Sequence, residues 1–163
     1  MQRYELAGTL EMLKAQERLE LALARFYSLC DEPAATGPEF WATLAREESR
    51  HAEGIRRMAA MLAERPDRFE PNRRFHVTAI QTFLAYVESL AERLRTGEIS
   101  RSDQHRLLSL ARDLEQSVLE SKWHEVTKTA DADFQLLAQT VVSETLDHKA
   151  KIAARLAVTP QRV

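Results

Sequence analysis

A single cysteine, Cys30, is the whole thiol content of this sequence. That excludes a disulfide within the chain and any four-cysteine zinc or iron–sulfur site. Glycine and proline are also scarce, at four and five among 163 residues. Few backbone breakers favour long helices. No basic excess is present: the net charge is -2 and the pI about 6.2. A nucleic-acid partner is therefore not expected, because neutralising phosphates needs clustered cations. No apolar run approaches the roughly 20 residues of a membrane span. The opening Met1-Gln2-Arg3-Tyr4-Glu5 has no apolar signal core behind a basic start. A cytoplasmic chain without a membrane partner is the expectation.

What is present is a balance of 44% hydrophobic and 29% charged residues. It suits one globular domain over residues 1–163, large enough to bury a core without staples. Apolar spacing and punctuation predict five helices and no strand. The first runs from about Arg3 to Cys30 and stops at Asp31-Glu32-Pro33. The second starts at Thr36-Gly37-Pro38-Glu39, with Pro38 at its first position and Glu39 in its first turn, and ends near Arg65-Pro66. A polar linker covers 66–74. The third, about Val77 to Thr96, carries the stripe Val77, Ile80, Leu84, Val87, Ala91, Leu94 and is closed by Gly97. The fourth starts at Ser100 or Ser102 and runs to about Lys128; the fifth runs from about Asp131 to Leu156. Two pairs of long helices joined by a long helical connection (residues 66 to 99) is how ferritin-like bundles are wired. The expected fold class is thus all-α, a four-helix bundle with an additional crossover helix.

Acids and histidines interrupt the apolar stripes. In helix 1 the face Leu6, Leu10, Leu13, Glu17, Glu20, Ala24, Tyr27 places Glu20 inward. Helix 2 has Leu44, Glu48, His51, Ile55, Met58, Leu62, so Glu48 and His51, three apart, project to one side. Helix 4 has Leu108, Ala111, Glu115, Val118. Helix 5 has Phe134, Leu137, Val141, Glu144, His148, Ile152. Glu20 precedes Glu48 by 28 residues and Glu115 precedes Glu144 by 29. Each half thus supplies a lone glutamate and then a Glu/His pair. Uncompensated carboxylates in a bundle core cost several kcal/mol each, and cations between them would remove that cost. One or two ions held by Glu20, Glu48, His51, Glu115, Glu144 and His148 follow, with iron, manganese or zinc all compatible with the donors.

At these residues the sequence resembles the rubrerythrin-type branch of the ferritin-like family. Glu20 with Phe26-Tyr27 resembles that family's first helix, and Leu44-Ala45-Arg46-Glu47-Glu48-Ser49-Arg50-His51-Ala52 resembles its second. The resemblance implies iron as cofactor and Glu20, Glu48 and His51 as ligands, with Tyr27 bonding a ligand from behind. It implies reduction of peroxide or dioxygen at iron, and a homodimer. The second half departs from the pattern: the place three before His148 is Thr145, with Glu144 displaced by one. With one cysteine there is no rubredoxin-like electron carrier in these residues, so an external electron donor would be needed.

Other readings of the same residues stay open. Glu20 could pair with Arg46 or Arg50. Glu144 could bond His148 without any metal. The whole chain could be a metal-free scaffold, or a cage-forming iron store. Glu17 reads as solvated or as a support behind the ligands, Glu47 and Glu120 as solvated acids, and His76, His105 and His124 as surface or cap residues. Trp41, Trp123, Met58 and Met61 read as core or interface.

Overall fold

The computed structural model describes residues 3–31, 39–72 and 76–161. Among these, five long helices carry most of the chain: α1 (Arg3–Cys30), α2 (Phe40–Glu64), α3 (Val77–Arg95), α4 (Gln104–Ser121) and α5 (Ala132–Val158). Helix α1 packs along α2 and α3, and α5 packs along α4 and α2. The expected apolar stripes are the buried faces. On α2, Leu44, Glu48, His51, Ile55, Met58 and Leu62 are all buried, and on α3 so are Ile80, Leu84, Val87, Ala91 and Leu94. Buried residues from all five helices form one hydrophobic cluster. Each fully buried large apolar side chain contributes about 1.5–3 kcal/mol to that core. No described helix is long and apolar enough to cross a membrane.

Near one end of the core, Tyr27 stacks on Trp41 with ring centroids 5.8 Å apart, and Phe40 meets Trp41 edge-on at 5.1 Å. The indole Nε1–H of Trp41 donates to Gln104 Oε1 at 2.8 Å, which joins α2 to the start of α4. A buried indole N–H needs such a partner.

The structure corrects the expected connections in four places. Helix α4 begins after Asp103, whose carboxylate accepts from the Arg106 N–H, so neither Ser100 nor Ser102 is its cap. It ends at Ser121 rather than near Lys128, because Lys122 turns left-handed at φ 49. A short 3₁₀ turn, Trp123–Glu125, follows. The chain then forms a strand where none was expected: β2 (Thr127–Thr129) pairs antiparallel with β1 (Phe69–Pro71), Phe69 opposite Thr129 and Pro71 opposite Thr127. This ribbon ties together the connections that follow α2 and α4, and Phe69 packs edge-on against Phe134 at 5.1 Å. Before α2, Glu39 is left-handed at φ 87 and lies outside the helix. Pro38, Arg73 and Arg74 lie outside the described residues.

Helix α5 is fixed at its start by Asp131. Its carboxylate accepts from the Phe134 N–H at 3.2 Å and lies 3.4 Å from Arg65 and 3.7 Å from Arg68. N-caps of this kind are worth about 1 kcal/mol. Asp131→Ala is expected to lower stability by about 1–2 kcal/mol in a urea melt. Asp131→Asn, which keeps the capping oxygen, should restore roughly half; equal losses in both variants would place the effect in the ion pairs instead.

Candidate metal centre

Four helices each send a buried side chain to one point in the core. Helix α1 contributes Glu20, α2 contributes Glu48 and His51, α4 contributes Glu115, and α5 contributes His148; all five are at most 2% exposed. The spacing of three between Glu48 and His51 puts both on the inner face of α2, as a helix of 3.6 residues per turn requires.

Glu48 is the shared element. One carboxylate oxygen, Oε2, lies 2.9 Å from His51 Nδ1, and the other, Oε1, lies 2.8 Å from His148 Nδ1. The two imidazoles face each other with centroids 5.3 Å apart and planes 23° apart. The lone glutamates flank them. Glu20 Oε2 is 3.9 Å from His51 Nδ1, and Glu115 Oε1 is 3.5 Å from His148 Nδ1. Each Nδ1 therefore looks toward one oxygen of Glu48 and one oxygen of its own half's glutamate. Glu48, His51 and His148 can bring ligand atoms within 4.8 Å of one another.

Residues behind these side chains hold them in place. Gln16 Nε2 donates to Glu20 Oε1 at 2.7 Å. The Tyr27 hydroxyl donates to Glu115 Oε1 at 2.5 Å. On the outer side, His51 Nε2 meets Glu144 Oε2 at 2.9 Å, and His148 Nε2 meets Glu47 Oε2 at 2.8 Å. Arg50 lies 3.6 Å from Glu47 and 3.8 Å from Glu144, and Lys151 lies 3.5 Å from Glu47.

Five of the six residues expected as ligands thus converge. The sixth, Glu144, is placed on the far ring nitrogen of His51, its side chain 34% exposed. The inward place on α5 belongs to Thr145, 2% exposed, whose hydroxyl donates to the Val141 carbonyl of the same helix at 2.8 Å. Two partners escaped the sequence reading. From the sequence Glu47 reads as surface charge, yet its carboxylate meets the outer nitrogen of His148. Gln16, not Glu17, is the buried α1 residue one turn before Glu20. Glu20 does not pair with an arginine: Arg46 is exposed and bonds Thr43, and Arg50 joins the outer acids.

Burial and charge set the protonation of the cluster. Burial pushes the Glu48 carboxyl up to about 8, and the charge of Glu115 adds to this. Burial opposes an imidazolium at His51 and His148. Hydrogen bonds and charge from Glu20 and Glu48 outweigh it and raise His51 to about 11, while Glu115 and Glu48 raise His148 to about 10. Despite burial, Glu20 is held below the usual carboxylate range, chiefly by His51. Burial and Glu115 push the Tyr27 phenol well up, so it stays protonated and donates. Burial likewise raises the Cys30 thiol, which keeps it unreactive.

Glu20 Oε2 is buried and has no hydrogen-bond partner. Among the described residues, the ion-pair partners of Glu20, Glu48 and Glu115 are the two histidines and never lysine or arginine. A buried bare carboxylate oxygen is costly, and this one lies 3.9 Å from His51 Nδ1. Carboxylate and imidazole donors suit first-row divalent cations. These residues fit a metal ion.

Compared with known protein families, with curated proteins and with solved structures, this chain matches none. The centre therefore stands on its own geometry. The outer acids give a direct check. A carboxylate on the far nitrogen of a metal-binding histidine orients the ring and raises its basicity, typically 10–100-fold in affinity. Glu47→Gln and Glu144→Gln are each expected to weaken cobalt binding about tenfold in a chelator competition, with little change in fold. Unchanged affinity in both would show that neither acid positions its imidazole.

Proposed function

We propose that this chain is a ferritin-like protein of the rubrerythrin type. In this reading α1, α2, α4 and α5 are the four-helix bundle and α3 is its crossover. Glu20, Glu48, His51, Glu115 and His148 would together hold two iron ions. The observation that carries this is Glu48, whose two oxygens each face the Nδ1 of a different histidine from a different helix. Bound iron would supply one-electron redox chemistry for reduction of peroxide or dioxygen, with electrons from an external donor.

The chain's own residues would do the rest. Gln16 and Tyr27 orient the two lone glutamates from behind. Tyr27 keeps its proton and neutralises part of the charge on Glu115. Glu47 and Glu144 fix the outer nitrogen of each imidazole, which leaves Nδ1 as the inward donor. The surrounding apolar residues exclude water and strengthen each charge interaction.

Elemental analysis of protein purified without added metal or chelator tests the reading. Iron or manganese near two per chain supports it, and a chelator should then lower the melting temperature. Native-state binding at a hundredfold excess over Kd contributes about 2.7 kcal/mol. No metal after anaerobic loading with ferrous iron would overturn it. A second reading, a metal-free scaffold that binds a protein partner, draws on one observation: all four ring nitrogens of His51 and His148 already meet carboxylate oxygens. A melting temperature indifferent to chelator would favour it.

A further inference from the structure

Helices α1, α3 and α4 do not close completely on one another. A cavity of about 530 Å³ lies between them, within the roughly 300–1,000 Å³ usual for small-molecule sites. Met12 and Leu19 of α1 and Ile80 and Phe83 of α3 give it apolar walls. Small side chains leave the room: Ala79 on the first turn of α3, and Ser117 and Ser121 in the last two turns of α4. The cavity is separate from the metal centre, none of whose five buried side chains is on its described walls.

The polar atoms that α4 presents to this space are acceptors. Ser117 Oγ donates its proton to the Asp113 carbonyl at 2.9 Å, and Ser121 Oγ donates to the Val118 carbonyl at 2.6 Å, both within the helix. Each hydroxyl keeps a lone pair and has no proton left to offer. Among the described residues of the walls there is no lysine, arginine, aspartate or glutamate, and His76 at the start of α3 is the sole ionisable one. A carboxylate would lose its water here and meet acceptors. An ammonium would lose its water and find no carboxylate. A pure hydrocarbon would leave both hydroxyl oxygens without a donor. The chemistry that fits is neutral, apolar over most of its surface, and ends in one O–H.

We propose that this cavity binds a small alcohol or phenol, its apolar body against Met12, Leu19, Ile80 and Phe83 and its hydroxyl donating to Ser117 or Ser121. The site stands independently of the metal reading, and no covalent step is involved.

1-Naphthol is the probe, titrated into the full chain near pH 7.5 and followed by its own fluorescence. One saturable site is expected. 1-Methoxynaphthalene has the same body without the donor and is expected to bind about fivefold or more weakly, the worth of one hydrogen bond. 1-Naphthoate is expected not to bind measurably at the same concentrations. Ala79→Trp fills the cavity with an indole from an exposed helix position; it should abolish naphthol binding and leave the thermal melt of the free chain unchanged. Ser117→Phe fills the cavity from the opposite wall and decides the matter if Ala79→Trp does not fold. Replacing Ser117 and Ser121 together by alanine should erase the advantage of naphthol over its methyl ether. Naphthol binding that is absent or unsaturable, or that survives either filling substitution, would overturn the proposal. So would an ether or a naphthoate held as tightly as naphthol.

Discussion

Glu48→Ala is expected to reduce the metal content of the purified protein to background. No other residue of the cluster faces both histidines: its Oε2 lies 2.9 Å from His51 Nδ1 and its Oε1 2.8 Å from His148 Nδ1. Removing Glu20 or Glu115 takes one ligand from one half, whereas removing Glu48 takes one from each. Glu48→Gln should behave nearly as badly, since a neutral amide oxygen neither compensates the cations nor bridges them as a carboxylate does. The amide keeps the volume, which separates loss of a ligand from loss of packing. The effect on the fold without metal should be smaller and distinct. The glutamate itself is disfavoured by burial, but its loss leaves both Nδ1 atoms without their nearest acceptor. Metal analysis alongside a thermal melt reads both. Iron content unchanged in Glu48→Ala would sink the assignment of the centre.

The helices and most of the centre were readable in the sequence because both are periodic. A glutamate on an apolar stripe, as at Glu20, Glu48 and Glu115, announces its own burial. What stayed hidden was not periodic. The ribbon between Phe69–Pro71 and Thr127–Thr129 consists of two three-residue strands far apart in sequence, too short for alternation to show. Helix α4 stops at Lys122 without a glycine or proline to signal it; the left-handed turn is imposed by the tertiary structure that buries Trp123 and Val126. Glu47 was masked by its neighbour. It sits about 100° around the helix from Glu48, off the apolar stripe, and only the approach of His148 from α5 gives it a role. Thr145 could be seen as a departure, but whether Glu144 would turn inward to replace it depended on the packing of α5. The packing leaves Thr145 facing in and Glu144 partly exposed.

Metal uptake is expected to release protons, and apparent affinity to rise steeply with pH between 6 and 8. His51 and His148 are raised to about 11 and about 10, and Glu48 to about 8. At pH 7 the metal-free cluster therefore holds protons on both imidazoles, sustained by the carboxylates of Glu20, Glu48 and Glu115 beside them. Each Nδ1 must lose its proton to bind a cation, and so must a bridging carboxylate. Each proton displaced makes binding about tenfold tighter per pH unit. Calorimetric titrations in buffers of different ionisation enthalpy should count about two protons released per chain at pH 7, one from each imidazole. The metal-free fold must show the opposite trend. These three groups bind protons more tightly folded than unfolded, so their contribution is whole below the unfolded values. It is lost as pH rises, through about 8 for Glu48 and through about 10 to 11 for the histidines. Glu20 and Glu47, held below the usual range, act in the other direction, and their contribution fades only as pH falls into the acid range. The melting temperature of stripped protein should thus decline from pH 7 to 10, while that of loaded protein declines less, so that the gap between them widens with pH. A gap that stays constant over that range, with no protons released on binding, would mean that the imidazoles are already neutral in the metal-free centre and that Glu48 accepts only one of their N–H groups at a time.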